Sequence, residues 1–214
     1  MMPADTVSSA VYAATERMNK MKTFVLASKN IHKAEEIKKI LGPDFDVITQ
    51  TEAGSGSIDV IEDGDTFEAN AIKKAEEIMA ATGKPTIADD SGLCVDYLKG
   101  APGVYTARYA GENATDEENI TKLLGALDGV PSEERTARFV CVIALAEPGE
   151  KTRTFYGECA GRISHKACGN GGFGYDPVFY VDEYKKTLGE LDGDIKNSIS
   201  HRSCALKKFV EQGL

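Results

Sequence analysis

Two adjacent carboxylates, Asp89 and Asp90, end a short apolar run, Thr86-Ile87-Ala88, that is typical of a buried strand. Carboxylates without partners are costly to bury, so the run predicts a strand tip that ends in charge and then turns at Gly92. Enzymes of the α/β class present catalytic groups in this way, at the carboxyl edge of a sheet. The alternative is an Asp-Ser-Gly turn without chemistry, which this stretch alone does not exclude.

A second group of polar residues surrounds a helix start. The apolar segment 23–27 predicts a first strand, which runs into Ser28-Lys29-Asn30-Ile31-His32-Lys33 and then into a helix that ends at Leu41. A helix start offers unpaired backbone N–H groups and the positive end of the helix dipole, so it suits a phosphate group. The alternative is a simple Ser/Asn cap with its lysines in solvent.

The acidic loop before the next helix is a candidate for metal ligation. Glu62, Asp63 and Asp65 lie close together, and Asp65 with Glu68 predicts a capping box for a helix over 66–81. Without partner carboxylates elsewhere, such a loop is more often a capped and solvated segment.

A glycine-rich segment, 169–177, satisfies the pattern G-x-G-x-x-G. A dinucleotide fingerprint lies between a strand and a helix, whereas here Pro177 and a β-like run over 178–181 follow. The segment is better suited to close approach of the backbone to a ligand, with Phe173 stacking on a ring and Asp176 beside it. The alternative is a wide hairpin turn.

A cationic cluster of Lys196, His201 and Arg202 is predicted at the start of a terminal helix. Cations there oppose the helix dipole, so the arrangement favours an anionic or keto-bearing ligand. The expected apolar face of this helix is formed by Leu206, Phe209 and Val210.

The remaining pattern predicts an α/β protein with a mixed sheet. Further strands are expected over 45–48, 136–145 and 152–159, and Thr115 with Glu118 predicts a capping box for a helix through Leu127. Residues 1–21 are expected to form an N-terminal extension without an assigned role, and residues 22–214 a single domain.

Composition narrows the class of protein. The chain has 214 residues and a formal net charge of -9, which disfavours a nucleic-acid polymer or an anionic membrane as partner, since both need a basic surface. Five scattered cysteines without a Cys-x-x-Cys pair make a zinc site or a disulfide framework unexpected, and a reducing cytoplasm is the expected location. No apolar run approaches the length of a membrane span.

Together these groups predict a nucleotide site. The carboxylates would hold Mg²⁺, and one of them would orient or deprotonate a water molecule. A P-loop NTPase is disfavoured because the sequence lacks a G-x-x-x-x-G-K-[ST] motif.

Six stretches occur in one order: Ser28-Lys29-Asn30 with Lys33, then 65–71, 88–93, 100–109, 171–177, and Ser200-His201-Arg202. In this order they resemble the ITPase family, the Ham1-like pyrophosphatases of inosine and xanthosine triphosphates. The resemblance covers about residues 22 to 210, and six ordered motifs are far more specific than any one of them.

The resemblance implies hydrolysis of purine nucleoside triphosphates with non-standard bases (ITP, dITP, XTP) to the monophosphate and pyrophosphate, with Mg²⁺. It implies an elongated mixed sheet flanked by helices in two lobes, with the active site in the cleft between them. It also implies a homodimer.

The resemblance further implies roles for individual residues. Asp90 matches the catalytic base, and Glu62, Asp89 and Asp90 match metal-associated carboxylates. Substrate binding is implied for Ser28, Lys29, Asn30, Ile31, His32, Lys33, Ser91, Phe173, Gly174, Tyr175, Asp176, Lys196, His201 and Arg202.

Two positions depart from the family pattern: Ser28 stands where Thr is usual, and Ala69 where Glu is frequent. The second departure leaves the helix over 66–81 without a catalytic assignment. Selectivity for a 6-keto purine over adenine is expected from donors aimed at the keto oxygen, because an adenine amino group would leave buried donors unpaired. Arg202 and the backbone N–H groups near Phe173 are the candidate donors.

Two other functions compete with this interpretation. A Maf-like pyrophosphatase acting on dTTP or UTP typically has a Ser-Pro-Arg-Arg-type turn after the first strand, whereas this chain has Asn30 and Lys33. A non-catalytic nucleotide sensor would need the glycines and the cations, but it would not need Asp89 and Asp90 beside a metal, and adjacent carboxylates serve poorly for simply binding a polyanion.

Overall fold

A seven-stranded mixed sheet forms the centre of the computed structural model, which describes residues 22–213. Its strand order is β2-β1-β3-β4-β5-β6-β7. The strands are β1 Lys22–Leu26, β2 Phe45–Thr49, β3 Thr86–Val95, β4 Thr136–Ala146, β5 Arg153–Ile163, β6 Phe179–Val181 and β7 Lys186–Thr187. β1 is parallel to β2 and β3, and every pairing from β3 to β7 is antiparallel, so the prediction of a mixed sheet is confirmed.

Five helices pack around this sheet. They are α1 Ile31–Leu41, α2 Phe67–Thr82, α3 Asp116–Ala126, α4 Gly193–Ile199 and α5 His201–Gly213. Apolar residues of α1 and α5 share one buried cluster with the sheet, and those of α2 share another. α3 packs with β6 and the far ends of β3 to β5 in a third cluster. The predicted extension, residues 1–21, lies outside the described residues, and none of the helices from 22 to 213 is long and apolar enough to span a membrane.

The local patterns that predicted α1 and α3 are confirmed. Asn30 caps α1 and accepts a hydrogen bond from the backbone N–H of Lys33. Thr115 and Glu118 form the expected reciprocal capping box of α3.

The predicted cap of α2 is wrong by one residue. Thr66, not Asp65, is the N-cap, and its side chain accepts a hydrogen bond from the backbone N–H of Ala69. The helix therefore begins one residue later than a cap at Asp65 requires. Glu68 is free of the capping role and accepts a hydrogen bond from the hydroxyl of Thr154 on β5.

The predicted strand tip at the paired carboxylates is also wrong. β3 continues through Asp89, Asp90 and Gly92 as an unbroken strand, paired with β4 along its whole length. Gly92 serves close packing rather than a turn: a Cβ there would lie 2.6 Å from the carbonyl oxygen of Gly103 and 2.9 Å from the Phe67 ring. The carboxylates are tolerated inside the strand because cations from three helices reach them, as described below.

The predicted single terminal helix is two helices. Lys196 belongs to α4, and α5 begins at His201 after Ser200, which has an extended backbone. Val210 is 39% exposed, so it does not belong to the buried face of α5.

α5 lies very close to the strand β5. A Cβ at Gly157 would lie 2.2 Å from the carbonyl oxygen of His201 and 2.3 Å from the backbone nitrogen of Ala205. The absent side chain at this strand position therefore lets the start of α5 sit against the sheet.

Candidate active site

A cleft of about 320 Å³ opens beside the middle of β3, within the range of roughly 300–1,000 Å³ that is usual for small-molecule sites. It is lined by residues from β3, α1, α2, α4, α5 and the glycine-rich loop. The predicted site residues that it brings together are Ser28, Lys29, Asn30, Lys33, Glu62, Asp89, Asp90, Ser91, Phe173, Gly174, Tyr175, Asp176, Lys196, His201 and Arg202.

Two predicted residues lie elsewhere. Ile31 is 66% exposed on the first turn of α1. His32 borders a separate groove on the outer side of Phe173. Their neighbours face the cleft because only part of a helix's first turn can point to one side.

Asp89 is the most enclosed carboxylate of the cleft, with a fully buried side chain. One oxygen lies 2.6 Å from Lys33 Nζ and accepts a hydrogen bond from Ser91, and the other accepts from Arg202 Nε at 2.9 Å and from the Cys141 thiol. Burial alone would raise the pKa of Asp89, but Arg202 and Lys33 hold that pKa well below its usual range. Asp89 is therefore a fully partnered anion at neutral pH.

Asp90 points to the other face of the sheet, toward α2. Lys74 Nζ lies 2.9 Å from Asp90 Oδ1 and 3.1 Å from Glu62 Oε1, and it also donates to the carbonyl oxygen of Asp89. Burial raises the pKa of Asp90 to about 6, although Lys74 and Lys33 act against this and Glu62 adds to it. Asp90 can thus gain or lose a proton near neutral pH, which is the property a general base requires.

Glu62 is the third member of this group. Burial would raise its pKa, but Lys74 lowers it, so Glu62 stays ionised. Arg108 donates a long hydrogen bond, 3.4 Å, to the backbone carbonyl of Glu62. The acidic loop before α2 is therefore held over the cleft by cations from two directions.

The first turn of α1 supplies cations and donors at one end of the cleft. Ser28 Oγ accepts a hydrogen bond from the backbone N–H of Asn30, and Lys29 pairs with Asp59 at 2.9 Å. Lys33 reaches Asp89, as described above. Asn30 does act as a cap, so the two interpretations of this segment are compatible: the cap orders the turn that faces the cleft.

Elsewhere in the cleft lining, a buried ion network surrounds Lys196. Its ammonium lies 2.6 Å from both Glu36 on α1 and Asp176 in the glycine-rich loop. Glu36 also pairs with the guanidinium of Arg202, which links this network to Asp89. Burial raises the pKa of Asp176 even though Lys196 opposes the shift.

Phe173 lies between two glycines of the glycine-rich loop. Gly172 and Gly174 both have positive φ angles, 75° and 59°, which are conformations that favour glycine. The Phe173 ring lies 4.8 Å from Lys196 Nζ. The backbone N–H groups of Phe173 and Gly174 donate to Asp176 and Asp116, so these two candidate donors for a purine oxygen are already engaged.

His201 is buried and stacks on Phe139, with ring centroids 4.8 Å apart. Burial first, and then the neighbouring Arg202, hold its pKa well below the usual range, so the imidazole is neutral. Its Nδ1 atom finds no hydrogen-bond partner in the described part of the chain. A neutral ring with one free nitrogen is suited to a polar, uncharged ligand group.

Among the residues that sequence reasoning missed, Lys74 and Glu36 pair most directly with the predicted site residues. Lys74 follows Asn70 and Ala71 and precedes Ile78 on the buried face of α2, so its helical spacing was an available signal. Glu36 precedes the buried Ile37 on α1 and gives no comparable sign. Its importance depends on Lys196 and Arg202, which lie far away in sequence.

The carboxylates fit Mg²⁺ only in a particular way. Among residues 22–213 no group of three or more His, Cys, Asp and Glu is arranged to hold a metal. Glu62 and Asp90 offer hard oxygens that share the same ammonium group of Lys74, whereas both oxygens of Asp89 already have donors. Two carboxylates suit a Mg²⁺ ion that takes its other ligands from substrate phosphates and water.

Comparisons with known proteins agree with this architecture. The sequence model that describes the Ham1 family matches residues 24–212 of this chain. A protein of Desulforamulus reducens named dITP/XTP pyrophosphatase is 54% identical over 187 residues, which cover 87% of this chain and 93% of the relative. A Bacillus subtilis protein of the same name is 50% identical over 190 residues, covering 88% and 96% of the two chains.

Solved structures show the same fold. The Ham1 protein of Staphylococcus aureus is 46% identical and superposes with a TM-score of 0.80, covering 90% of this chain and all of that one. A HAM1 protein of Coxiella burnetii is 44% identical with a TM-score of 0.81, covering 89% and 98%.

Proposed function

This chain belongs to the Ham1 family, and we propose that it hydrolyses purine nucleoside triphosphates with non-standard bases, namely ITP, dITP and XTP. The products are the nucleoside monophosphate and pyrophosphate. The relatives named dITP/XTP pyrophosphatase share about half of their residues with it over nearly their full length. It is thus a hydrolase that acts on an acid anhydride bond.

One observation carries the proposal: a single cleft holds a proton-accepting carboxylate at one place and an aromatic ring with cations at another. Asp90, with Glu62 and Lys74, forms the first group, and Phe173 with Lys196 belongs to the second. A nucleoside triphosphate needs both, because its phosphates and its base lie at opposite ends of the molecule.

Asp90 acts as the general base. The attacking water gives a proton to its carboxylate, the water oxygen bonds to the α-phosphorus, and the bond from that phosphorus to the bridging oxygen breaks. Pyrophosphate leaves with the bond electrons. A pKa of about 6 keeps most of Asp90 ionised at neutral pH while leaving it basic enough to accept the proton.

The cations of the cleft bind the phosphates. Lys33 and the first turn of α1 lie where free backbone N–H groups and the helix dipole favour an anion. Lys74 lies close enough to Asp90 to hold a phosphate beside that carboxylate, the general base. Asp89 keeps Lys33 and Arg202 in position, and Ser91 is placed to contact substrate at the same point of β3.

Glu62 and Asp90 are the residues that would hold Mg²⁺. When bound, the ion would neutralise phosphate charge and favour departure of pyrophosphate. Asp89 was a further candidate ligand, but its four donors give it the role of holding cations instead.

The base is bound at the other end. Phe173 stacks on the purine, and Gly174, Tyr175 and Asp176 shape the loop that carries the ring. Donors for the 6-keto oxygen come from Arg202 and Lys196, which keep N–H groups beyond those used in their ion pairs. The neutral ring of His201 belongs to the same part of the cleft lining.

The resemblance also supports a cytoplasmic homodimer. All five cysteines are free thiols, as suits a reducing compartment. Light scattering coupled to size exclusion tests the dimer directly: a mass near twice 23.0 kDa is expected, and a mass near 23.0 kDa contradicts it.

A pyrophosphate-release assay with Mg²⁺ tests the function. ITP and XTP should be turned over far faster than ATP, dTTP or UTP. Turnover of dTTP or UTP without ITP would replace the proposal with a pyrimidine pyrophosphatase. Binding of ITP without turnover of any nucleotide would identify a sensor.

A further inference from the structure

The outer face of the Phe173 ring is covered by an imidazole. The rings of His32 and Phe173 stack with centroids 5.5 Å apart and planes inclined by 18°. His32 borders the outer groove and Phe173 borders both that groove and the cleft. The Phe173 ring therefore separates the two spaces, with one side toward the cleft and the other toward His32.

The loop itself gives Phe173 little support. It stands between Gly172 and Gly174, two residues in conformations that glycine favours. Its N–H donates to Asp176, and besides His32 its ring has Lys196 Nζ at 4.8 Å and the Arg202 guanidinium at 5.9 Å from the ring centroid. The hydrogen bond to Asp176 fixes the backbone and leaves the side-chain torsions of Phe173 to be set by what touches the ring.

His32 is well placed to set them. It lies on the first turn of α1, a helix start that the Asn30 cap orders and the Lys33–Asp89 ion pair ties to the sheet. His32 itself is exposed, so its stack contributes little to folding. Its contact with Phe173 joins the element that faces the phosphates to the ring that faces the base.

We propose that His32 is a positioning residue for purine binding: it backs the Phe173 ring from outside the cleft so that the opposite side of the ring is oriented for stacking on the base. The inference rests on the proposed function, in which Phe173 stacks on a purine. It also assigns His32 to the base end of the substrate rather than to its phosphates.

The test compares His32→Ala with His32→Tyr and with Lys38→Ala, an exposed residue of α1 that borders neither the cleft nor the outer groove. His32→Ala should raise KM for ITP about 2- to 10-fold, the range expected for one aromatic pair, and should leave kcat within about twofold. His32→Tyr should restore KM, and Lys38→Ala should not change it. Inhibition by inorganic triphosphate, which has no base, should be equal in all four proteins.

Unchanged KM in His32→Ala would overturn the proposal, and so would an equal loss of affinity for inorganic triphosphate. Failure of Tyr to rescue would likewise overturn it. A second measurement does not depend on turnover: the chain has no Trp, so Phe173→Trp provides a single tryptophan that can be excited selectively. Inosine monophosphate should quench it, with a weaker Kd when His32→Ala is added. If the wild-type protein fails to hydrolyse ITP, the proposed function fails, and this binding measurement still tests His32.

Discussion

Asp89 and Asp90 are neighbours in β3, yet they face opposite sides of the sheet and have opposite electrostatic surroundings. Successive side chains of a strand point to opposite faces. Asp89 meets Arg202 and Lys33 on the face covered by α1 and α5, and its pKa is well below the usual range. Asp90 meets Lys74 and the nearby Glu62 on the face covered by α2, and burial raises its pKa to about 6.

The difference shows how one strand can separate two tasks. A carboxylate with two cationic partners keeps its charge at neutral pH and holds other groups in place. A carboxylate that shares one ammonium with a second acid stays responsive to protons. Neither the residue type nor the sequence neighbourhood distinguishes Asp89 from Asp90, so the partners that each face supplies decide the role.

The largest effect is expected from Asp90→Asn. Loss of the general base should lower kcat for ITP by about 10²- to 10⁴-fold, while circular dichroism shows an intact fold. The wild-type kcat/KM, which reports the free enzyme, should also fall as pH drops through about 6, because Asp90 becomes protonated there. A variant with near-normal turnover would remove Asp90 from the mechanism.

The next effect concerns Asp89→Asn, which removes one partner of a buried ion network and leaves Lys33 and Arg202 without it. The free energy of unfolding at pH 7 should fall by about 3–5 kcal/mol. A group with a lowered pKa in the fold contributes stability above its unfolded pKa and loses it as pH falls through the folded pKa, so the deficit should shrink in strong acid. Urea titrations at several pH values measure this loss of stability. An unchanged midpoint at pH 7 would show that Asp89 does not stabilise the fold through Lys33 and Arg202.

Asp90→Asn should act on stability with the opposite sign. A carboxylate with a raised pKa stabilises the fold below its unfolded pKa and loses that contribution as pH rises through the folded value, about 6. The neutral amide avoids the cost of ionisation, so at pH 8 the variant should be more stable than wild type by about 1–3 kcal/mol. The gain should vanish near pH 4. Equal destabilisation by the two Asn variants would show that the two faces do not differ as described.

Lys74→Met tests whether Lys74 holds down the pKa of Asp90. Lys74 lowers the pKa of Asp90 against the effect of burial, so its loss should raise that pKa. The acid limb of the residual kcat/KM profile should then move upward by about one pH unit or more. Lys73→Met, which removes a cation paired with the exposed Asp63, is the matched control and should leave the limb in place.

The smallest effect is expected at the start of α2. Thr66→Ala removes the observed cap and should lower the free energy of unfolding by about 1 kcal/mol without moving the acid limb. Asp65→Ala should change stability by much less, since Asp65 does not cap the helix. The reverse order of the two variants in a urea titration would contradict the cap at Thr66.

The elements that the sequence predicts best are those whose decisive contacts are local. The cap of α3 depends on Thr115 and Glu118, three residues apart, and both partners are visible in one short segment. The long strands β4 and β5 were predicted because the residues that favour a strand also lie together in one short segment. Each strand extends beyond its expected range.

The interior of the site could not be predicted in this way. Whether a strand can continue through Asp89 depends on Arg202, 113 residues further along the chain. A rule that bars carboxylates from strand interiors is sound for a carboxylate without partners, and it failed because these partners arrive from α1 and α5. The helical spacing of Lys74 places it on the buried face of α2. Its role as a partner of Glu62 depends on the position of the loop that carries Glu62, which the spacing does not give.

Gly157 shows where unexpected loss of function can arise. It has no side chain and is not part of the cleft lining, so a survey of natural variants would class a change there as unrelated to nucleotide chemistry. Any side chain at Gly157 would nevertheless collide with the backbone of His201 and Ala205. The strand would then displace the start of α5, which carries His201 and Arg202, the two residues of that helix that we propose to contact the substrate. A variant with a side chain at Gly157 should therefore lose activity through a change in spacing between β5 and α5.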